Sequence, residues 1–214
     1  MTFDLDGGTC SESSRQVTFD QLYNSPSLLP TPTKSNYIFL GWTLNGVAVD
    51  ETTYCRTGSN HTLKARWLPL SWSERRATDG QDQKKRFHMI TDADDYWTSH
   101  RETWNPGISK QELIDQGYTK VAVRIVFWVD ELDQGNQRVY FASPAGKEFL
   151  KWSFTSTPSD WHEYDRNTQN ESTKYVDINN FGDNMEFLTI WEAYGNGGDS
   201  WDLGATTVTL TFLK

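Results

Sequence analysis

Six apolar runs follow one another after residue 118, and this repetition limits how the chain can fold more than any other feature. Apolar runs of this length, rich in Val, Thr and aromatic residues and bounded by Gly, Pro and Asn, are typical of β-strands. With HMITDADDYW upstream, they predict about seven or eight strands, and hence an antiparallel β-sandwich of the jelly-roll kind, with a barrel as the alternative. The runs are VAVRIVFWVDE, QRVYFAS, EFLKWSFTS, KYVDIN, EFLTIWEA and TTVTLTFLK.

The alternation inside these runs predicts which faces are buried. From Val121 to Val129 the odd-numbered residues are apolar, which leaves Arg124, Trp128 and Asp130 on the opposite, hydrated face. A tryptophan that shares its face with an arginine and an aspartate makes this face a candidate binding surface. The same alternation predicts inward positions for Leu150, Trp152, Phe154, Val208, Leu210 and Phe212.

One helix is expected, over residues 110–116. Ser109 and Glu112 have the spacing of a capping box, in which each side chain satisfies a free backbone N–H at the helix start. Ile108 and Leu113 are spaced for a hydrophobic staple across the same turn. The rest of this part of the chain therefore remains mainly β.

The N-terminal third contains a different set of strand-like runs, at Val17–Asp20, Tyr37–Trp42 and Thr62–Trp67. The ordered segments TFDLDGGT, LPTPTKSNYIFLGW and HTLKARW resemble the internalin-type B-repeat, also called the Listeria–Bacteroides repeat. The resemblance implies a small β-grasp-like module of a secreted or wall-attached bacterial protein, used as a spacer or adhesive unit and without catalysis. The aromatic and aliphatic residues that carry it are expected to fill the core: Tyr37, Phe39, Trp42, Leu63 and Trp67.

Glycine and asparagine positions in these segments have structural roles. Gly7 and Gly8 allow a tight turn with positive φ. Asn36 stands where the repeat usually has glycine, and asparagine tolerates the left-handed region. The module is therefore expected to keep its backbone geometry in spite of this departure.

A charged stretch with few aliphatic residues follows the module. We expect a β-grasp-like module over residues 1–67, a linker over 68–86 and a Trp-rich, acidic sandwich over 87–214. The whole chain has a net charge of −9, and the part after residue 67 carries 15 basic against 23 acidic residues. Because phosphate binding needs a positive field, nucleic acid is not an expected partner.

The N-terminus and the apolar runs also bear on localisation. No run approaches the roughly 20 apolar residues of a membrane helix, so no membrane insertion is expected within this segment. The chain begins inside a strand-like run without a signal-peptide pattern. We expect it to be part of a longer extracellular, cell-surface or secreted protein whose anchor lies elsewhere.

The two cysteines, Cys10 and Cys55, lie far from any histidine cluster. A zinc site needs about four ligands at short spacings, and these are not present. A disulfide in a secreted chain and two separate thiols both remain open.

Two acidic clusters are candidate calcium ligands. Asp92, Asp94 and Asp95 lie near the start of the sandwich, and Asp199 and Asp202 lie near its end. Calcium takes six to eight oxygen ligands, and carboxylates are the usual ones. If the first and last strands are neighbours, the clusters meet, and the expected role of the ion is structural. No other cofactor is expected.

Tryptophan is abundant, with 10 residues in the chain, and several lie outside apparent core positions. Flat aromatic rings stack on the apolar face of a pyranose while polar neighbours bind its hydroxyls. The alternative for each tryptophan is that it covers an edge of the core. The candidate ligand-binding residues are Trp128, Trp161, Trp201, Arg124 and Asp199, and Trp97 and Trp104 lie in similar polar stretches.

Catalytic motifs are lacking, since the sequence has no GxSxG, no HExxH and no phosphate-binding glycine loop. We therefore expect a binding or adhesion segment rather than an enzyme, with a glycan as the favoured ligand. The first alternative is a structural stalk or a module that docks a host or neighbouring protein. A glycoside-active domain using Glu163 and Asp165 is the second.

Overall fold

The computed structural model divides the chain into two compact units, Met1–Leu70 (unit 1) and Ser71–Lys214 (unit 2). It describes the backbone of residues 1–25, 27–77, 87–90, 96–132, 135–156, 168–195 and 200–214, and the side chains of 1–25, 27–77, 99–127, 138–153, 172–193 and 203–214. Among these residues, no helix has both the length and the hydropathy that a membrane-spanning helix needs.

Unit 1 is built on one four-stranded mixed sheet with the strand order β1-β4-β2-β3. β1 runs parallel to β4, and the other neighbours are antiparallel. A core of aromatic and aliphatic side chains packs on this sheet, with Trp42 and Leu63 buried as predicted. The strands are β1 (Thr2–Asp4), β2 (Tyr37–Leu44), β3 (Val47–Val49) and β4 (Thr62–Pro69).

Two expectations for unit 1 are wrong. Residues 17–20 do not form a strand but lead into a turn, because Asp20 takes a positive φ of 64° and Gln21 N–H donates to the Thr18 carbonyl. Tyr37 does not enter the core, and the residue is 39% exposed. The Lys34 ammonium lies 4.2 Å from the centroid of the Tyr37 ring, so the tyrosine contributes a cation–π contact at the surface instead.

The turn predicted at the two glycines depends on Trp67. Asp6 and Gly7 both have positive φ, at 46° and 83°, and Gly8 N–H donates to the Leu5 carbonyl. The Trp67 indole N–H donates to the same carbonyl at 3.0 Å, and a Cβ on Gly8 would lie 2.5 Å from Cζ2 of that indole. Gly8 is therefore required by close packing, whereas Gly7 is favoured by its backbone conformation.

Asn36 has the left-handed backbone conformation that the sequence predicted, with a φ of 61°. The Asn36 carbonyl accepts a hydrogen bond from Leu70 N–H at 2.9 Å, which ties the start of β2 to the end of the unit.

Unit 2 is a sandwich of two antiparallel sheets, which confirms the mainly β fold. The β12 sheet has the order β10-β9-β12-β7, and the β13 sheet has the order β11-β8-β13-β5, with β6 also paired to β13. The strands are β5 (Ser71–Arg76), β6 (Phe87–Ile90), β7 (Tyr96–Trp104), β8 (Lys120–Leu132), β9 (Gly135–Ala142), β10 (Glu148–Ser156), β11 (Thr168–Asp177), β12 (Phe187–Gly195) and β13 (Ser200–Leu213).

The alternation predicted for the strands is confirmed wherever the side chains are described. Those of Val121, Val123, Ile125 and Phe127 are buried in β8, while the outward Arg124 is half-buried. The inward positions predicted in β10 and β13 are buried too, and the side chains of Val129 and Phe154 lie outside the described residues. The buried set is Leu150, Trp152, Val208, Leu210 and Phe212.

The single predicted helix, α1 (Lys110–Asp115), ends one residue earlier than expected. The Ser109 hydroxyl accepts a hydrogen bond from Glu112 N–H at 3.2 Å, as the capping box requires. Ile108 and Leu113 are both buried, so the hydrophobic staple also forms.

The predicted linker over residues 68–86 is corrected by the structure, because residues 71–76 of it form β5. This strand pairs with β13, and Trp72 contacts the rings of Trp104 and Phe187 edge to face. The charged sequence SWSERR does not show the alternation of a strand, because only one of its inward positions is apolar. Arg76 is accommodated inside the edge of the sandwich, where its guanidinium stacks 3.6 Å from the Trp104 ring.

Trp104 is likewise a core residue rather than a ligand-binding one. Its ring is fully buried, stacks on Phe187 at an interplanar angle of 3° and donates its indole N–H to the Thr189 hydroxyl at 2.8 Å. The polar residues that follow it belong to the loop before α1, which is why its sequence context is misleading.

We predict that Gly8→Ala destabilises unit 1 by about 1–3 kcal/mol, because the new methyl group would push Trp67 away from the Leu5 carbonyl. Chemical denaturation followed by tryptophan fluorescence would measure the loss. Gly58→Ala is the matched control, since a Cβ there meets no atom within 4 Å. Equal stability of the two variants would contradict the role assigned to the close contact.

Candidate functional site

The outer face of the β13 sheet carries the candidate site. Antiparallel pairing sets the side chains of neighbouring strands next to each other on one face, and two adjacent rows cross all four strands here. The first row is Thr173, Arg124, Thr209 and Ser73, and the second is Tyr175, Ala122, Thr211 and Ser71. Six of these eight residues carry a hydroxyl group, and we call the set the hydroxyl face.

Tyr175 is well exposed on the hydroxyl face, with 69% of its surface accessible. Among the described side chains of unit 2, no other large apolar or aromatic one is exposed. The hydroxyls of Ser73 and Thr209 lie 2.9 Å apart and hold each other in place. The face thus combines one exposed aromatic ring, one arginine and ordered hydroxyl groups on a regular sheet.

Two of the predicted ligand-binding residues lie on β8. Arg124 pairs with Thr173 and Thr209, in the middle of the first row. The backbone of Trp128 pairs with Gln169, further along the same two strands, and its side chain lies outside the described residues. The structure therefore brings Arg124 next to a residue that the prediction did not include, Tyr175.

Sequence reasoning missed Tyr175 although a signal was present. In KYVDIN the tyrosine alternates with Lys174 and Val176, so it had to face away from the valine. The candidate surface predicted from the sequence rests on the alternation within β8 alone. The pairing of Tyr175 with Ala122, a small residue that leaves the ring uncovered, becomes visible only in the register.

Both ends of the stretch Tyr194–Asp202 belong to strands. Tyr194 and Gly195 end β12, while Trp201 and Asp202 belong to β13 and pair with Leu132 and Glu131 of β8. The side chains of Trp201 and Asp202, and the whole of Asp199 and Trp161, lie outside the described residues. Their part in ligand binding stays a prediction.

Most of the predicted calcium ligands also lie outside the described residues, namely Asp92, Asp94, Asp95 and Asp199. The described neighbours of the two acidic clusters are nevertheless paired. Ile90 pairs with Ser200, and Tyr96 pairs with Gly195. The first and last parts of the sandwich are thus neighbours, as the prediction required. Within the described part of the chain, no three His, Cys, Asp or Glu residues are grouped to hold a metal.

The candidate catalytic carboxylates Glu163 and Asp165 lie outside the described residues. A different pair of carboxylates meets at the β5–β7 edge, where Arg76 bonds Glu74 at 2.8 Å and lies 3.6 Å from Glu102. The indole N–H of Trp191 donates to Glu102 at 3.2 Å. These bonds pair the Arg76 guanidinium with carboxylates at the margin of the core, so their role is structural.

Cys10 and Cys55 are free thiols in the structure, so the second of the two alternatives is the one observed. Cys55 is buried and its Sγ lies 3.7 Å from the Thr57 carbonyl. Cys10 lies instead at the surface beside Pro30 and Thr33.

The outer face of the β12 sheet differs from the hydroxyl face, because its side chains bind and cover one another. Arg138 and Glu192 form a salt bridge at 2.6 Å, and the Arg138 guanidinium lies 5.0 Å from the Tyr140 ring. Tyr140 is only 8% exposed and packs with Ile190. Burial, followed by the charge of Glu192, raises the pKa of the Tyr140 hydroxyl to about 12.

This raised pKa predicts a loss of stability at alkaline pH. The folded state holds the Tyr140 proton more tightly than the unfolded chain, whose tyrosine pKa is about 10. The stabilising effect is therefore complete below about pH 10 and is lost as the pH rises through about 12, a change of about 3 kcal/mol. Unfolding experiments across this range should show a smaller loss for Tyr140→Phe than for the unaltered chain. Tyr175→Phe, at an exposed position, is the control, and a loss in Tyr140→Phe equal to that of the unaltered chain would contradict the prediction.

Comparison with solved structures finds only distant similarity. A structure of the infectious bursal disease virus Gt strain matches at 12% identity and a TM-score of 0.39, over 86% of this chain and 40% of that one. Latent PorU from Porphyromonas gingivalis matches at 10% identity and a TM-score of 0.36, over 68% of this chain and 13% of that one. A non-crystalline cellulose specific carbohydrate-binding module, CBM28, matches at 9% identity and a TM-score of 0.29, over 100% and 99%.

The chain spans about two fifths or less of the virus structures. At these values the matches carry no conclusion about function. No curated protein matches the chain.

The sequence of unit 1 matches one family model. The model is that of the Listeria-Bacteroides repeat domain, and the match covers residues 1–66. This confirms the resemblance carried by the DGG turn, the Tyr37–Trp42 strand and the Thr62–Trp67 strand. Residues 1–66 are a Listeria–Bacteroides repeat domain.

Proposed function

We propose that the chain is a non-catalytic binding segment of a larger bacterial cell-surface or secreted protein, and that unit 2 binds a glycan. The repeat domain in unit 1 supports the cell-surface part of this proposal. The hydroxyl face supports the glycan part. The single observation that carries it is the exposed ring of Tyr175 in the row next to Arg124.

The chemistry of the hydroxyl face suits a sugar. A tyrosine ring offers an apolar surface for the C–H groups of a pyranose and a hydroxyl group at its edge. Arginine donates hydrogen bonds in a planar fork, and serine and threonine both donate and accept them. Unit 2 thus presents, on one regular surface, the two kinds of contact that sugar binding needs.

The dimensions of the face favour a chain of sugars over a single one. Its second row crosses four strands from Tyr175 to Ser71, and three gaps of about 4.8 Å span roughly 14 Å. A sheet face is also open at both ends of the row, unlike an enclosed pocket. Trp128, Trp161, Trp201 and Asp199 remain candidates for further contacts.

The alternative function is a stalk or a protein-docking module, and one observation favours it. Several tryptophans that make the composition unusual are used in the core of unit 2, which weakens the argument from abundance. Trp104 and Trp191 are fully buried, Trp152 is nearly so, and Trp72 packs against Trp104 and Phe187. The glycan proposal therefore depends on the hydroxyl face rather than on tryptophan content.

A glycan array probed with the intact chain tests the proposal. We expect binding to a subset of polysaccharide-derived glycans and at least a tenfold loss with Tyr175→Ala, because the stacking surface is removed. Tyr54→Ala is the matched control, since it removes an exposed tyrosine from unit 1. Uniformly negative arrays, or binding that is unchanged in Tyr175→Ala, would favour the stalk or docking alternative. A panel of glycosidic substrates tested in parallel would detect hydrolysis, which the proposal excludes.

We further propose that Asp92, Asp94, Asp95, Asp199 and Asp202 contribute to a structural calcium site. At a free calcium concentration 100 times the dissociation constant, such a site would stabilise the fold by about 2.7 kcal/mol. Thermal unfolding should shift upward with calcium and return to its starting value with EDTA. Asp94→Asn should abolish the shift, whereas Asp183→Asn, which alters a 98% exposed carboxylate, should not. An unfolding temperature that does not respond to either addition would remove the calcium proposal.

A further inference from the structure

Unit 1 contains an apolar groove that its repeat-domain identity does not explain. The groove has a volume of about 470 Å³ and opens to solvent. Phe39, Trp42 and Val49 contribute to its apolar lining together with Leu28 and Pro30, and the turn at residues 50–52 lines it as well. We call it the Leu28 groove.

Leu28 is the most exposed large apolar side chain among the described residues, at 73%. Its loop is nevertheless held in place. The Arg15 guanidinium donates hydrogen bonds to the carbonyls of Ser27 and Leu28, both at 2.9 Å, and is itself paired with Glu12 at 2.8 Å. The backbone that carries Leu28 is thus held in place, so binding a partner there would cost little ordering of the loop.

The apolar surface of the groove is equally well fixed. The Trp42 indole N–H donates to the Pro30 carbonyl at 2.9 Å, and the Phe39 ring packs edge to face on Trp42 at 5.4 Å. The indole therefore has no N–H left for a ligand. The groove offers shape and apolar contact, which suits a bulky aliphatic or aromatic side chain of a partner.

The rim next to Val49 is negatively charged. Asp50 and Glu51 line the groove, and none of the residues that line it is a lysine or an arginine. Asp50 accepts hydrogen bonds from Thr52 and Thr53, which lower the pKa of its carboxyl group and keep it ionised. A partner that fits this rim carries a positive charge close to its apolar side chain.

The strand that ends at the groove also suits an extended partner. β3 is the last strand in the order β1-β4-β2-β3, so its outer side has no neighbouring strand in the described sheet. Edge strands accept peptides by forming further main-chain hydrogen bonds. The apolar groove, its negatively charged rim and the outer edge of β3 together favour the same class of ligand.

We propose that the Leu28 groove binds an extended peptide of a partner protein, in which a bulky apolar residue lies within two residues of a lysine or arginine. The apolar side chain enters between Leu28 and Trp42, and the basic side chain lies against Asp50 and Glu51. This site is independent of glycan binding by unit 2.

A random peptide library displayed on phage and selected on the intact chain tests this proposal. We expect the selected peptides to share a bulky apolar residue next to Lys or Arg, and to bind more weakly as the salt concentration rises. Titration calorimetry with synthetic copies should show at least a tenfold loss of affinity for Leu28→Ser and for Glu51→Lys. Phe19→Ser, at an exposed aromatic residue in a different cleft, and Glu148→Lys in unit 2 are the controls.

Two results would overturn the proposal. One is the absence of any shared sequence among the selected peptides. The other is a shared sequence whose binding is unchanged in Leu28→Ser and Glu51→Lys. Both variants alter exposed side chains, so circular dichroism should show them folded, and a loss of binding could then be attributed to the groove.

Discussion

The alternation of β13 from Thr207 to Phe212 is the constraint on which the architecture of unit 2 depends. Val208, Leu210 and Phe212 enter the core, so Thr209 and Thr211 must face the other way. A slip of one residue in register would exchange the two faces and place hydroxyl groups in the core. Because β13 pairs with β5, β6 and β8, its register is transmitted to most of the sheet. The hydroxyl face is thus a consequence of how the core is filled.

A single tryptophan has a comparable role in unit 1. Trp67 binds the Leu5 carbonyl and packs against Gly8, so it connects the end of β4 to the turn after β1. Three segments that are far apart in sequence meet around it, since Phe39 of β2 also contacts its ring. These are the segments by which the repeat was identified. Their resemblance to the family therefore reflects packing, and Phe39 also contributes to the groove at Leu28.

Local chemistry made several elements predictable. The helix at Lys110–Asp115 depends on Ser109, Glu112, Ile108 and Leu113, all within one turn of its start. Asn36 takes the left-handed conformation for reasons contained in its own side chain. The inward residues of β8 follow from alternation alone. In each case the interaction that decides the structure lies within a few residues along the chain.

The errors at β5 and Trp104 occurred where the partner is distant in sequence. β5 resembles a linker because Arg76 and Glu74 are charged, yet pairing with β13 and stacking on Trp104 accommodate them. Trp104 itself is surrounded by polar residues in sequence and by Phe187 and Thr189 in space. The sequence by itself determined the two-part division, the mainly β fold and the identity of the repeat, because these follow from periodicity and local motifs. Only the tertiary structure decided that Tyr175 joins Arg124 on one surface, because that depends on the register between strands some 50 residues apart.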